Sequence, residues 1–195
     1  MANNKISITL NTKALDDALT RLLETTGDTR PLMLDIAETL HAHSMKLFQD
    51  QGFPANSWPD LRPSTKKRRA ADGHWPGKIL QVSGQMIASI QSSSGPDYAQ
   101  IGTNKVQARI LHDGGTINRS GSVRLRTNKD GSLKKRGNLA TFARKSHKNA
   151  VERAVNYQIV IPSRRFFPIT ADNQLIPPAF NAVMDVLHKA ILGTP

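Results

Sequence analysis

Apolar positions change their period several times along this chain, and each change marks an element. Ile6, Ile8 and Leu10 alternate over residues 5–10, as in a half-buried strand. Leu15, Ala18, Leu19, Leu22 and Leu23 then recur at helical spacing, an amphipathic helix that Gly27 ends. A second helix opens with Asp28 or Thr29 as its cap and Pro31 in its first turn, where a missing N–H is harmless. Met33, Ile36, Ala37, Leu40, Ser44, Leu47 and Phe48 carry its buried stripe as far as Gly52. Over residues 52–77 the helical period lapses into a loop region, which Trp58 and Leu61 pin to the core. Within it, Ser64 or Thr65 caps a short basic helix. Residues 79–90 read as helix again, with Leu80, Met86, Ile87 and Ile90 inward. Gly84 in its middle costs about 1 kcal/mol against Ala, which points to close packing there.

After Gly95-Pro96, residues 97–101 form a strand that turns at Gly102-Thr103-Asn104 into about two turns of helix carrying Val106, Ile110 and Leu111. Gly114 and Gly115 stop that helix, because glycine takes a left-handed backbone at little steric cost. Residues 122–127 alternate Val123 and Leu125 with Arg124 and Arg126, and Asn128-Lys129-Asp130-Gly131 supplies a hairpin turn back through residues 132–136. Phe142, Ala143, Ala150, Val151, Ala154 and Val155 place a helix within residues 139–155. A strand follows at 157–161, then a proline-bracketed turn at 162–168 that holds Arg164, Arg165, Phe166 and Phe167. From Pro177 or Pro178, Phe180, Val183, Met184, Leu187, Ile191 and Leu192 line a last amphipathic helix. The predicted fold is α+β: N-terminal helices and a C-terminal helix on a small, mostly antiparallel sheet. One domain spans residues 1–195, with a basic β-hairpin arm at about 116–137.

Charge sharpens this picture because it is unevenly spread. Residues 1–61 carry five Lys/Arg against eight Asp/Glu, residues 62–78 six against one, and residues 116–157 eleven against two, within a net +12. Two positive blocks therefore flank the segment 99–115, and such blocks meet nucleic acid or an acidic protein surface. Lys66, Lys67, Arg68 and Arg69 in the first block, and Lys134, Lys135 and Arg136 in the second, are the candidate contacts. The absence of cysteine excludes disulfides and thiolate metal sites. No apolar run approaches the roughly 18 residues of a membrane span, and no signal-peptide core opens the chain, so a cytoplasm-like compartment is expected.

Catalytic patterns are missing. His112 with Asp113, His74, His147 and Ser83 stand in no recognisable catalytic spacing, and Ser83-Gly84 lacks the second glycine and preceding strand of a nucleophile elbow. His41 and His43, two apart, do not share a helix face. No zinc, phosphate-loop or dinucleotide motif is present. A nucleic-acid-binding protein is the alternative function class, but neither an aromatic stacking platform nor a helix-turn-helix pattern accompanies the charge.

Four segments together resemble the phage virion morphogenesis proteins of the Mu-like tail-completion family. They are Trp58 with Leu61, Thr65 and the lysines that follow; Ile79-Leu80 with Ser83-Gly84 and Ser89-Ile90; Ile101-Gly102-Thr103 followed by Ala108, Ile110, His112 and Gly114-Gly115; and Ile161-Pro162-Ser163-Arg164 with Phe166-Phe167. Gln107, Asp113 and Arg165 depart from the family pattern. The resemblance implies a non-enzymatic, cofactor-free structural protein of the virion neck, assembled in the host cytoplasm. It would complete the tail and join it to the head, commonly as a ring of identical subunits. Other tail and head-connector proteins would be its partners, with nonspecific contact to DNA in the lumen. On that reading Arg164, Arg165, Phe166, Phe167, Arg124 and Arg126 form subunit or partner contacts. Trp58, Gly84, His112, Gly114 and Gly115 are structural.

Overall fold

The longest apolar stripe becomes the helix around which the first part of the molecule is built. A computed structural model describes Thr20, residues 28–53 and residues 56–192, without the side chains of Asn56, Ile191 and Leu192. The strand expected at 5–10 and the helix at 15–23 lie outside the described residues, Thr20 apart. Helix α1 (Arg30–Asp50) buries Leu32, Met33, Ile36, Ala37, Leu40, Ser44, Leu47 and Phe48, the predicted stripe with Leu32 added. Thr29 occupies the cap position but makes no side-chain cap bond. The Asp28 carboxylate accepts the Arg30 N–H at 3.0 Å, while the Thr29 hydroxyl donates to the Pro96 carbonyl. At the other end the left-handed residue is Gln51 (φ 59°), one before Gly52. Its side chain holds that bend by donating to Phe48 O at 2.7 Å and accepting from the Ile79 N–H at 2.6 Å.

The strands β1 (Gly52–Phe53) and β2 (Asn56–Ser57) pair after α1, and the basic helix α2 (Pro63–Ala71) follows. Its cap position is Arg62, and neither Ser64 nor Thr65 caps it. Residues 79–90 depart from the single helix expected of them. Leu80 (φ 61°) and Gly84 (φ 68°) are both left-handed, so the helical run cannot pass through them. Only α3 (Gln85–Ala88) is helical, and Ile90 already begins β3 (Ile90–Ser94). Close packing at Gly84 is likewise corrected: a Cβ there would meet nothing within 4 Å, and glycine is favoured by the backbone angle alone. The four residues expected to face inward do so: Met86 and Ile90 are buried, and Leu80 and Ile87 pack on the core.

Strand β4 (Ala99–Thr103) runs antiparallel to β3, from Ser94 opposite Ala99 to Ile90 opposite Thr103. Gly102 and Thr103 thus stay in the strand, and the turn begins only at Asn104. Helix α4 (Ala108–Asp113) is shorter than predicted, leaving Val106 outside it and 82% exposed. Gly114 ends α4 with φ 76°, as expected of a glycine stop. After the proline-bracketed turn, helix α5 (Pro177–Leu192) packs on α1. Ile176, Ala179, Val183 and Leu187 form the apolar ridge there, and Phe180 lies outside it, exposed. Residues up to Gly114, together with those from Pro162 onward, form one compact unit.

Residues Gly115–Ile161 form a second unit. Its frame is β5 (Gly115–Arg126) paired antiparallel with β8 (Ala150–Ile161), twelve residues each, from Gly115 opposite Ile161 to Arg126 opposite Ala150. The helix expected within 139–155 is replaced by β7 (Leu139–Ala140), an irregular segment and the first half of β8. Val151, Val155, Tyr157 and Ile159 supply a period of two that β-branched and aromatic residues favour in strands. The Asn128–Gly131 turn does form, with the Asn128 N–H donating to Ser132 O at 2.8 Å. It closes only a local hairpin at the tip, where Thr127 bridges Leu133; the long partner of β5 is β8. The short β6 (Lys135–Arg136) pairs with β7. Every ladder in the described residues is antiparallel, and the fold is α+β.

Candidate functional site

Five rings meet where the turn after Ile161 returns to the first unit. Phe48 from α1 lies edge-on to Trp58 at 5.4 Å and 5.5 Å from Phe166. Phe166 in turn sits 4.9 Å from Phe167 and 5.0 Å from the His112 ring. Phe166 and Phe167 are 0% and 1% exposed. Core burial therefore replaces the direct subunit contact expected of them.

Arg164 is buried as well, and its guanidinium serves the loop at Pro59. Nε and Nη2 donate to the Pro59 carbonyl at 3.0 and 2.8 Å, and Nη2 also reaches the Asp60 carbonyl at 3.3 Å. Burial, with Arg69 adding to it, pushes the Arg164 pKa down; Asp60 opposes the shift. The turn is stitched on its other side too: Arg164 N–H donates to Leu111 O at 3.0 Å and Ser163 Oγ to His112 O at 2.7 Å. Trp58 Nε1 donates to Arg165 O at 2.9 Å, which is how the tryptophan pins its loop. Residues far apart in sequence thus become one lock. Arg165, half-buried, donates from Nη1 to Thr170 O at 2.6 Å.

His112 is 1% exposed, and its Nδ1 lies 2.9 Å from the Asp113 carboxylate. Burial lowers its pKa. The Asp113 hydrogen bond and charge and the Phe167 backbone pull the other way, and Arg165 adds to the lowering. With a folded value below the ordinary 6.5, the unfolded chain takes the proton first as pH falls, so stability declines below about pH 6.5. His43, lowered by burial and Lys46, contributes with the same sign. Asp60 and Asp130 are held low and matter only below about pH 4. Thermal melts from about pH 7.5 to 5.5 should therefore lose a few degrees, and His112→Gln should flatten that slope more than His43→Gln.

The basic run on α2 divides into two roles. Lys66 is paired with Asp60 and stands 5.2 Å over the Trp75 ring, and Arg69 donates to Lys78 O at 3.3 Å. Lys67 and Arg68 are exposed at the surface. His74 and Ser83 are exposed on loops, and no group of three or more His, Cys, Asp or Glu among the described residues could hold a metal ion.

The second unit holds the other positive block. Its ribbon has two faces, since opposed residues share a side. One carries Ile117 with Ile159, Arg119 with Tyr157, Val123 with Arg153, and Leu125 with Val151; the other is mainly polar, with Asn118 opposite Gln158 and Ser120 opposite Asn156. On the apolar face Tyr157 is 51% and Ile159 38% exposed. Arg124 and Arg126 are half-buried near the tip, on the polar face. Lys134, Lys135 and Arg136 are exposed.

The order of these segments along the chain matches one known profile over residues 10–177, that of the phage virion morphogenesis family. The chain belongs to this family. It is also similar to the putative capsid assembly protein G of Escherichia phage Mu, with 30% identity over 113 residues, 57% of this chain and 72% of that protein. No solved structure matches it. The family match encloses both the Trp58–Arg164 lock and the β5–β8 ribbon, and the protein is thereby a phage structural assembly protein. Trp58 and Arg164 are legible in the sequence as motif residues; the apolar face of the ribbon is not, because the spacing over residues 139–155 fits a helix. No helix among the described residues is long and apolar enough to cross a membrane.

Proposed function

We propose that the protein completes the tail in the virion neck and joins it to the head without catalysis, as a homo-oligomeric ring whose subunits meet through the Gly115–Ile161 ribbon. The exposed apolar face of that ribbon is the observation that supports this reading. A two-stranded ribbon is marginally stable alone in water, and this one leaves Tyr157 and Ile159 uncovered. A second copy is the simplest cover, because a head-to-tail contact repeated between identical subunits makes a ring where its rotation closes. Tail and head-connector proteins are the other partners, and the basic surface lies against DNA in the lumen without reading its sequence.

Light scattering after size exclusion tests the proposal across concentration and salt. The expected mass is a fixed multiple of the 21.4 kDa chain. Tyr157→Ser combined with Ile159→Ser should reduce it to a single chain while the far-ultraviolet spectrum is kept. A wild-type protein that stays a single chain at every concentration, and retains neither tail nor connector proteins in a pull-down, would overturn the reading.

A further inference from the structure

The tip of the ribbon is a small lobe with its own framework. Thr127 N–H donates to Asn149 O at 3.1 Å, Arg126 N–H to Thr141 O at 2.8 Å and Lys134 N–H to Arg126 O at 2.8 Å. Residues 126–127 are thereby tied to the stretches at Lys134, Thr141 and Asn149. Beside these stretches lies an open cavity of about 430 Å³ lined by polar and charged residues. Arg126, Lys129, Lys134 and Lys148 surround it, together with His147. The Arg144 N–H donates to His147 Nδ1 at 2.9 Å, which leaves Nε2–H as the donor of that ring.

Nothing in the unit neutralises these cations. Its carboxylates are Asp130 and Glu152. Asp130 accepts from Ser132 twice, at 3.0 and 2.7 Å, and Glu152 accepts from Ser122 at 2.8 Å. No Lys or Arg of this unit forms a salt bridge among the described residues. Four like charges around one polar cavity repel each other unless an anion joins them. We propose that this lobe is a phosphate-binding site for the backbone of double-stranded DNA. Phosphate oxygens accept from Lys, Arg and imidazole N–H groups and carry no sequence information, which suits a lining of cationic and polar side chains. An acidic protein would bring an apolar interface core that this cavity has nothing to meet. A single strand would call for a platform of stacking rings, and the one ring in the lining is the His147 imidazole, whose Nδ1 accepts from the Arg144 N–H. Arg124, Lys135, Arg136, Arg144 and Lys145 lie on neighbouring stretches of the same unit and extend the track beyond one phosphate.

The proposal gives a place to the lumen DNA contact of the assembly reading and rests on that reading only for which DNA is met. Fluorescence anisotropy of a short mixed-sequence duplex with the full chain tests it, needing neither ring nor tail, so a failed site and a failed ring are told apart. The variant is Lys129→Ala/Lys134→Ala/Lys148→Ala, three exposed side chains whose loss leaves the lobe's backbone bonds in place. A charge-matched control is Arg30→Ala/Arg109→Ala/Lys189→Ala, three exposed cations of the other unit that lie outside both basic blocks. The lobe variant should bind about tenfold more weakly or worse. Its slope of log affinity against log salt should shrink by about 2–3, close to 0.9 for each lost phosphate contact. The control should change affinity by less than about threefold, and a scrambled duplex should bind as well as the first. Equal losses in both variants, or wild-type affinity in the lobe variant, would overturn the site. So would displacement of the duplex by polyglutamate at equal charge, or a preference for single strands.

Discussion

Phe166→Ala should unfold the first unit rather than loosen a subunit contact. The ring is fully buried and touches three others, with centroids 5.5 Å away at Phe48, 5.0 Å at His112 and 4.9 Å at Phe167. Truncating a buried phenylalanine to alanine costs about 3–5 kcal/mol, the transfer term plus the cavity left behind. That is a large share of the roughly 5–15 kcal/mol that holds a domain together. The neighbours are poorly placed to collapse into the gap, since each ring belongs to a different element. Urea denaturation followed by far-ultraviolet dichroism should show the midpoint falling sharply, with much of the protein insoluble at 37 °C. Phe166→Leu, which keeps most of the volume, should cost about 1.5 kcal/mol or less. A Phe166→Ala protein as stable as wild type but defective in assembly would return this residue to the interface.

Arg164→Ala is the second large effect, expected at about 2–4 kcal/mol. Three donor contacts from a charged group to carbonyls at Pro59 and Asp60 disappear together. Hydrogen bonds to charged groups are worth about 1.5–3 kcal/mol each in isolation but do not sum within one side chain. The loop at Trp58 should loosen with them, because its indole bonds to the neighbouring Arg165 carbonyl. Faster exchange of the Trp58 indole proton, read by nuclear magnetic resonance, would report that directly. Arg164→Lys should recover less than half of the loss: an ammonium can reach one carbonyl but cannot present the planar fork that Nε and Nη2 offer to Pro59. Full rescue by lysine would show that charge, not geometry, carries the contact.

In the sequence these two residues stand out through the family resemblance, which makes them subunit or partner contacts. Both lie in a proline-bracketed turn, between Pro162 and Pro168. Nothing local says that Phe166 faces Phe48, more than a hundred residues earlier, or that Arg164 points at a loop near Trp58. The same limit explains the second unit. Residues 139–155 place apolar side chains at spacings that fit a helix, and only pairing with Gly115–Arg126 selects the strand over Ala150–Ile161.

The sequence by itself determined the α+β class, helix α1 with its buried stripe, α5, the glycine stop at Gly114, the segregated positive charge and the family. Local period and backbone freedom are complete within a short window, and charge distribution and segment order are read along the chain without knowing which segments pair. Tertiary structure alone decided the rest. It broke residues 79–90 at Leu80 and Gly84, placed Phe166, Phe167 and Arg164 inside, and divided the basic run of α2 between Asp60, Lys78 and solvent. It also gathered Arg126, Lys129, Lys134 and Lys148 around one cavity. The physical reason is common to all four. Burial and long-range hydrogen bonding depend on which distant segment arrives opposite, and that partner is chosen by the whole chain's balance of buried area against unpaired polar groups.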